Sequence, residues 1–352
     1  MENVGYGMRV RRWATVGALV LLAGCGQSVA GSNATDTATS LRLGYFPNLT
    51  HATALVGVQS GIFQRELGTV KLEASTFNAG PAAVEALFSR AIDAAYVGPN
   101  PTITAWSRSH GAAIRVISGE ASGGASLVVR AGINSAADLK GKRVADPQLS
   151  GTQDVALRYW LARQGLKTDP SGGGDVSIVP EDNGQALTAF KSSPRQVDGA
   201  WVPEPWATRL VSEGGGHVLV DERDLWPGGQ FVSTNLVVRT EFLRQNPGVV
   251  EKLLRGQVRA NAFLRSNTAD AERAVNMAIM SITGRALASS VVSTSWQKLT
   301  FTNDPLPASL QATLDHAVEV GLQSKVDLRA LYDLGPLNRV LAELGEAPVP
   351  GP

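Results

Sequence analysis

The chain has 352 residues, 43% of them hydrophobic, with 32 lysines and arginines against 31 aspartates and glutamates, for a formal net charge of +1. So even a balance implies neither nucleic acid nor another polyanion as partner, and the length allows one large or two ordinary domains. The single cysteine, Cys25, excludes an intrachain disulfide framework and leaves no thiol for a metal site or a nucleophile once it carries lipid.

At the start of the chain, Arg9, Arg11 and Arg12 precede "WATVGALVLLAGC", an apolar run of signal-peptide length that is too short to span a bilayer as an ordinary helix. Leu22-Ala23-Gly24-Cys25 resembles the bacterial lipobox, in which the cysteine is diacylated and becomes the first mature residue. The plainer reading is a free thiol in an apolar helix. Arg11-Arg12 alone is a weak sign of twin-arginine export, and Met8 is an alternative start. Residues 1–24 are thus expected to be removed, and because they carry three arginines and one glutamate, 328 residues of net charge −1 would remain. Residues 25–40, small and polar, read as a disordered tether between lipid and body. The expected location is extracytoplasmic, at the outer face of the cytoplasmic membrane or in the periplasm, held by lipid on Cys25 because no later apolar run is long enough to span.

From Leu41 onward, strand-like runs recur at "LRLGYF", "VKLEASTF", "DAAYVG", "AIRVIS", "SLVVR", "KRVAD", "VSIVP", "DGAWV", "HVLVD" and "NLVVR", most of them separated by segments of helical period. Helices are expected at Ala52 to Glu66, Pro81 to Ser89, Thr152 to Gln164, Asn183 to Lys191 and Glu204 to Ser212. This alternation predicts an α/β fold with largely parallel sheet. After about Thr240 the strands are expected to stop, and helices continue to about Leu344. The first of these places Val249, Val250, Leu253, Leu254, Val258 and Ala262 on one stripe. "PSGGGD" and "EGGGH" read as loops and not as linkers. With no single hinge in view, two lobes require the chain to cross twice, and the Gly-rich segments Ala121 to Val129 and Glu222 to Asn235 are the expected crossings.

The lipobox, "GYFPNLTHA", "FNAGPAAVEALFSRAIDAAYVGPNPTITA", "AADLKGKRVA" and "DGAWVPEPWA", in that order, resemble the extracytoplasmic substrate-binding lipoproteins of ABC importers, in the aliphatic sulfonate, nitrate and taurine group. The resemblance runs from Cys25 to about Val238. It implies a two-lobed type II periplasmic-binding-protein fold with a ligand cleft between the lobes and a helical C-terminal region. Lobe 1 would comprise residues 41–121 and 222–352, and lobe 2 residues 122–221. It further implies a monomer that serves a membrane permease and its ATPase, with no cofactor, no metal and no catalytic residue of its own. An enzyme related to pyrimidine-precursor synthases or menaquinone-pathway lyases is the alternative from another class.

In open α/β sheets, ligands bind beyond the carboxyl ends of strands, where loops lead into helix N-termini, and six turns qualify. After the first strand, Asn48, Leu49, Thr50 and His51 precede a helix. Asn48 and Thr50 can donate to a ligand oxygen, while Thr50 as a simple N-cap is the competing reading. Gly80 precedes a proline-initiated helix. Gly98 permits close backbone approach, and Asn100 sits between two prolines that fix the loop. Ser118, Ser122 and Gly123 lie in "SGEASGGAS", read as a hinge whose serines could face the ligand. Ser150, Gly151, Thr152 and Gln153 open a helix of the kind that holds oxyanions by backbone N–H groups and hydroxyls. Glu204 and Trp206 lie in "WVPEPWA", where the aromatic ring offers a wall for an alkyl group or simply packs in the core.

These turns hold no Lys or Arg, so a cation would have to come from Arg115, Arg130 or Arg158. A sulfonate suits helix starts and hydroxyls for its three oxygens and a Trp206 or Leu49 surface for its tail. Nitrate offers nothing to an apolar wall, and a neutral vitamin or pyrimidine precursor stacked on Trp or Tyr45 is the main competitor.

Overall fold

The computed structural model describes residues 36–352; Cys25, the export segment and most of the tether fall outside the described residues. Strand β1 (Ser40–Tyr45) buries Leu41, Leu43 and Tyr45. Helices α1 (Ala52–Gln59) and α2 (Ile62–Leu67) follow, then β2 (Lys71–Thr76), α3 (Gly80–Phe88), β3 (Ala94–Val97) and α4 (Pro99–Arg108). The long strand β4 (Ile114–Gly123) leads through Gly124 alone into β5 (Ala125–Val129), after which come β6 (Arg143–Asp146), α5 (Thr152–Arg163), β7 (Ser177–Pro180) and α6 (Asn183–Lys191). Next are β8 (Gly199–Pro203), α7 (Trp206–Ser212), β9 (His217–Asp221) and β10 (Val232–Arg239). The C-terminal part contributes α8 (Thr240–Gln245), α9 (Pro247–Ser266), α10 (Thr268–Thr283), α11 (Ser289–Trp296), β11 (Leu299–Phe301), α12 (Pro307–Glu319) and α13 (Gly335–Glu343).

Two sheets result, a first of order β11-β4-β10-β3-β1-β2 and a second of order β7-β6-β8-β5-β9. Each is mixed and not largely parallel. β1 pairs in parallel with β2 and β3, but β10 inserts antiparallel between β3 and β4. Likewise β6 pairs in parallel with β7 and β8, while β5 runs antiparallel to β8 and β9. Besides the short β11, the antiparallel members are β5 and β10, the strands by which the chain enters each sheet from the other, so they arrive from the opposite direction to the βα repeats. A double crossing imposes this and local pattern does not reveal it.

Other expectations need correction. The helix expected over Ala52 to Glu66 is two helices, broken where Gly61 takes a left-handed φ of 67°. Gly57 marks the reason for the fold-back, since a Cβ there would lie 2.2 Å from the Phe63 ring. The helix expected over Glu204 to Ser212 starts at Trp206, because β8 runs through Pro203 and Pro205 is the N-cap residue. Strands do not stop at Thr240, since β11 pairs with Ala121, Ser122 and Gly123 of β4. "SGEASGGAS" is therefore mostly strand and not a loop. Ser118 and Ser122 are buried in β4, and Gly119 is needed for packing, as a Cβ there would meet the Asp304 carbonyl at 2.1 Å. Helix α9 buries Val249, Val250, Leu253, Leu254 and Val258 as expected, with Ala262 half-buried.

Candidate functional site

Six strand ends, those of β1, β2 and β3 from the first sheet and β6, β7 and β8 from the second, lead to residues that surround one cavity of about 50 Å³. Since each water needs at least roughly 10–15 Å³ of such space, the volume suits the head group of a small ligand. Helices α3, α4, α5 and α6 all begin here, at Gly80, Pro99, Thr152 and Asn183. Their N-cap residues, Ala79, Gly98, Gly151 and Asp182, make no side-chain capping hydrogen bond. The positive ends of four helix dipoles thus converge on the cavity, with first-turn N–H groups mainly from α3, α5 and α6, since Pro99 and Pro101 leave α4 with that of Asn100.

Of the sixteen expected contact residues, eight line this cavity: Asn48, Thr50, His51, Gly80, Gly98, Gly151, Thr152 and Gln153. Thr50, the competing N-cap candidate, lies inside the turn Leu49–His51 and is not a cap; the cap positions are Asn48 and His51, and neither makes a side-chain cap bond. Asn48 accepts a 2.9 Å bond at Oδ1 from the Trp206 Nε1–H, which leaves its amide N–H₂ group for the cavity. Gly98 is required by the approach of Thr152, whose Oγ1 would be 2.4 Å from a Cβ at that position.

The other eight lie off the cavity, each for a visible reason. Leu49 is wholly buried, and its N–H donates to the Glu204 carbonyl at 3.1 Å. Asn100 is buried in the first turn of α4. Ser118 donates to the Gly119 carbonyl, and Ser122 accepts from the Phe231 N–H. Gly123, at φ 84°, packs on the Lys298 carbonyl. Ser150 adopts φ 60° and donates its N–H to Asp154 Oδ2 at 2.7 Å. Glu204 is fully buried, its carboxylate accepting from Lys298 Nζ at 2.8 Å, Ser295 Oγ at 2.9 Å and the Thr208 N–H at 3.1 Å. Trp206 sits behind Asn48 with the Arg209 guanidinium 4.6 Å from its ring, so it orients a lining residue and forms no wall.

Sequence reasoning missed the aromatic and proline surfaces that do line the space, Phe46, Phe231, Pro81, Pro101, Pro147 and Pro203, and the polar Asn78, Gln148, Asn183 and Ser233. Most of these adjoin residues that were singled out. Phe231 and Ser233 come from the return crossing, and nothing local marks them as facing a cleft.

No carboxylate, lysine or arginine is among the lining residues. Arg158 is buried on Asp154 at 2.6 Å, Arg115 bonds the Gly111 and Ile114 carbonyls, and Arg130 bonds the Val197 carbonyl. His51, 3% exposed, is held neutral by burial, which depresses its pKa to about 3. Beneath the second-sheet half of the cavity, Asp146 is fully buried beside Asp154, and burial together with that charge pushes its carboxyl well above the usual range. The arrangement offers many hydrogen-bond donors, no compensating side-chain charge, and a few apolar faces.

A family model described as "NMT1-like family" matches residues 34–279. A binding protein of Brucella abortus (strain 2308) is 29% identical over 243 residues, 67% of this chain and 70% of that protein. Among solved structures, the alkanesulfonate-binding protein from Xanthomonas axonopodis pv. citri, bound to MOPS, superposes with a TM-score of 0.69 at 22% identity, covering 83% of this chain and 96% of that one. The periplasmic nitrate-binding protein from Synechocystis PCC 6803 gives a TM-score of 0.75 at 16% identity over 88% of this chain and 89% of that one.

Proposed function

The chain belongs to the NMT1-like family, and from that premise we propose that it is the extracytoplasmic substrate-binding component of an ABC importer, capturing a small organic anion and delivering it to a membrane permease. The favoured ligand is an aliphatic sulfonate. The observation that carries this reading is the convergence of four helix N-termini without side-chain caps on a cavity lined by hydroxyls and amides and by no carboxylate. Such a surface is attractive to a monoanion with several oxygens. Phe46, Phe231 and the prolines supply the apolar contact that an alkyl group uses and that nitrate does not.

In this reading the two sheets are the cores of two lobes that close over the anion, and the crossings around Ala121 to Val129 and Glu222 to Asn235 carry the hinge. Lipid on Cys25 keeps the protein at the membrane. Calorimetry of the mature domain with ethanesulfonate, taurine, nitrate, sulfate and a neutral pyrimidine tests the ligand. A sulfonate response in the micromolar range or better is expected, and silence to sulfonates beside a clear response to another compound overturns the substrate. Metabolic labelling with an alkyne fatty acid tests the anchor: label on the wild type and none on Cys25→Ala is expected.

A further inference from the structure

We propose that His51 supplies the positive charge that the cavity otherwise lacks, so that the anion is bound together with a proton. The inference rests on the anion-binding reading above and goes beyond it in naming the residue that answers the ligand's charge. Among the residues lining the cavity, His51 is the one titratable side chain. Its Nδ1 is buried without a hydrogen-bond partner, and no bond among the described residues engages its Nε2. The imidazole lies against the Phe46 ring with centroids 4.4 Å apart, a contact that favours an imidazolium once one forms.

The surroundings decide how far that charge depends on the ligand. The turn of His51 packs against β4, β10, α1 and α11. The titratable groups on these elements are Arg115 and Glu120 on β4 and Arg239 on β10, with Lys298 just beyond α11 and Glu204 facing it. Arg239 is committed to Asp93 and Lys298 to Glu204, while burial pushes the Glu120 carboxyl well above the usual carboxylate range. Burial is accordingly the one influence that holds His51 neutral, with no neighbouring charge acting on it in either direction. A unit negative charge about 4 Å away, at an effective dielectric near 20, offsets most of such a penalty. His51 then takes up a proton in the complex at a pH where the free protein leaves it neutral. The sign follows by linkage: the complex binds the proton more tightly than the free protein, so affinity rises as pH falls.

Ethanesulfonate is the probe of choice because it stays ionised throughout the accessible range. Calorimetry at pH 5.5, 6.5 and 7.5 in buffers of different ionisation enthalpy is expected to show binding about fourfold tighter at pH 5.5 than at 7.5, with net proton uptake that grows as pH falls. His51→Gln, which cannot ionise, is expected to bind with no pH slope and no uptake. In case that variant folds poorly, the imidazole resonances of the wild-type protein give a second readout: one histidine should titrate only in the presence of ethanesulfonate. Binding that is intact but flat with pH, or a slope that persists in His51→Gln, overturns the inference and leaves the importer reading standing. Failure of every anion to bind at any pH overturns both.

Discussion

Asn48 and Thr50 carry the sharpest residue-level expectations. Asn48 is fixed from behind by the indole of Trp206, and Thr50 stands beside it with its carbonyl accepting from Thr234 Oγ1. Hydrogen bonds to a charged ligand contribute about 1.5–3 kcal/mol. Asn48→Ala and Thr50→Ala should therefore each weaken sulfonate binding by roughly 10- to 100-fold, with the melting temperature little changed. Unchanged affinity in both variants, measured by calorimetry, would return this stretch to an ordinary turn. Trp206→Phe, which keeps the packing and removes the donor, should reproduce part of the Asn48→Ala loss. Glu222 concerns stability instead. It is buried at the return crossing, accepts from Trp201 Nε1 at 2.8 Å, and has its pKa raised by burial to about 7. A raised folded-state pKa contributes stability that is full below the unfolded value and fades as pH climbs toward 7. Glu222→Gln should flatten that decline between about pH 4.5 and 7, a difference of up to ~3 kcal/mol above pH 7, read from melting curves across pH.

At the scale of elements, the junction between the start of α4 and the start of α5 is the tightest point. Gly98 and Thr152 follow strands of different sheets, β3 and β6, yet a Cβ on the first would stand 2.4 Å from the hydroxyl of the second. Gly98→Ala should hold these two helix starts apart and lower affinity by at least about tenfold. Thr152→Ala should cost less in the Gly98→Ala background than alone, the non-additivity expected of contacting sites. Additive losses would show that the two residues act separately. The same junction separates what the sequence announces from what it hides. "GYFPNLTHA" and "DPQLSGTQ" announce helix starts through proline, small residues and hydroxyls, so their place at the site could be read in advance. That Gly98 serves Thr152 could not, because the partner is brought in by a different sheet. "SGEASGGAS" was legible only in part for a related reason: the passage between sheets does fall within it, at Gly124, but most of it is strand, and Gly119 admits the backbone at Asp304.

For the whole molecule, the β8–α7 loop ties the second sheet to the C-terminal region of the first. The carboxylate of Glu204 meets Lys298 and Ser295, its carbonyl accepts from Leu49, and Trp206 reaches Asn48. Glu204 is fully buried, so removing its cation leaves an uncompensated charge, a loss of about 3–5 kcal/mol. Lys298→Met should thus lower the melting temperature markedly and weaken binding, while Lys298→Met with Glu204→Gln should recover much of the stability. A double variant no more stable than the single one would argue that the pair is not the tie. The residues first expected to touch the ligand here act one layer back, holding the two sheets where the cavity forms.

The sequence by itself determined the α/β class, the order of most strands and helices, the resemblance to importer binding proteins, and eight of the residues around the cavity. These follow from short-range causes: the period of apolar residues, proline and glycine at helix starts, and hydroxyls where N–H groups need partners. Only the tertiary structure decided the antiparallel insertion of β10, the strand at Leu299–Phe301, the neutrality of the cavity lining, and the reassignment of Glu204 and Trp206 from contact to support. Each of these depends on which segments meet across long sequence separations. A residue's chemistry can be read locally, but whether that chemistry faces a ligand or a neighbouring carboxylate is fixed by what the fold places opposite it.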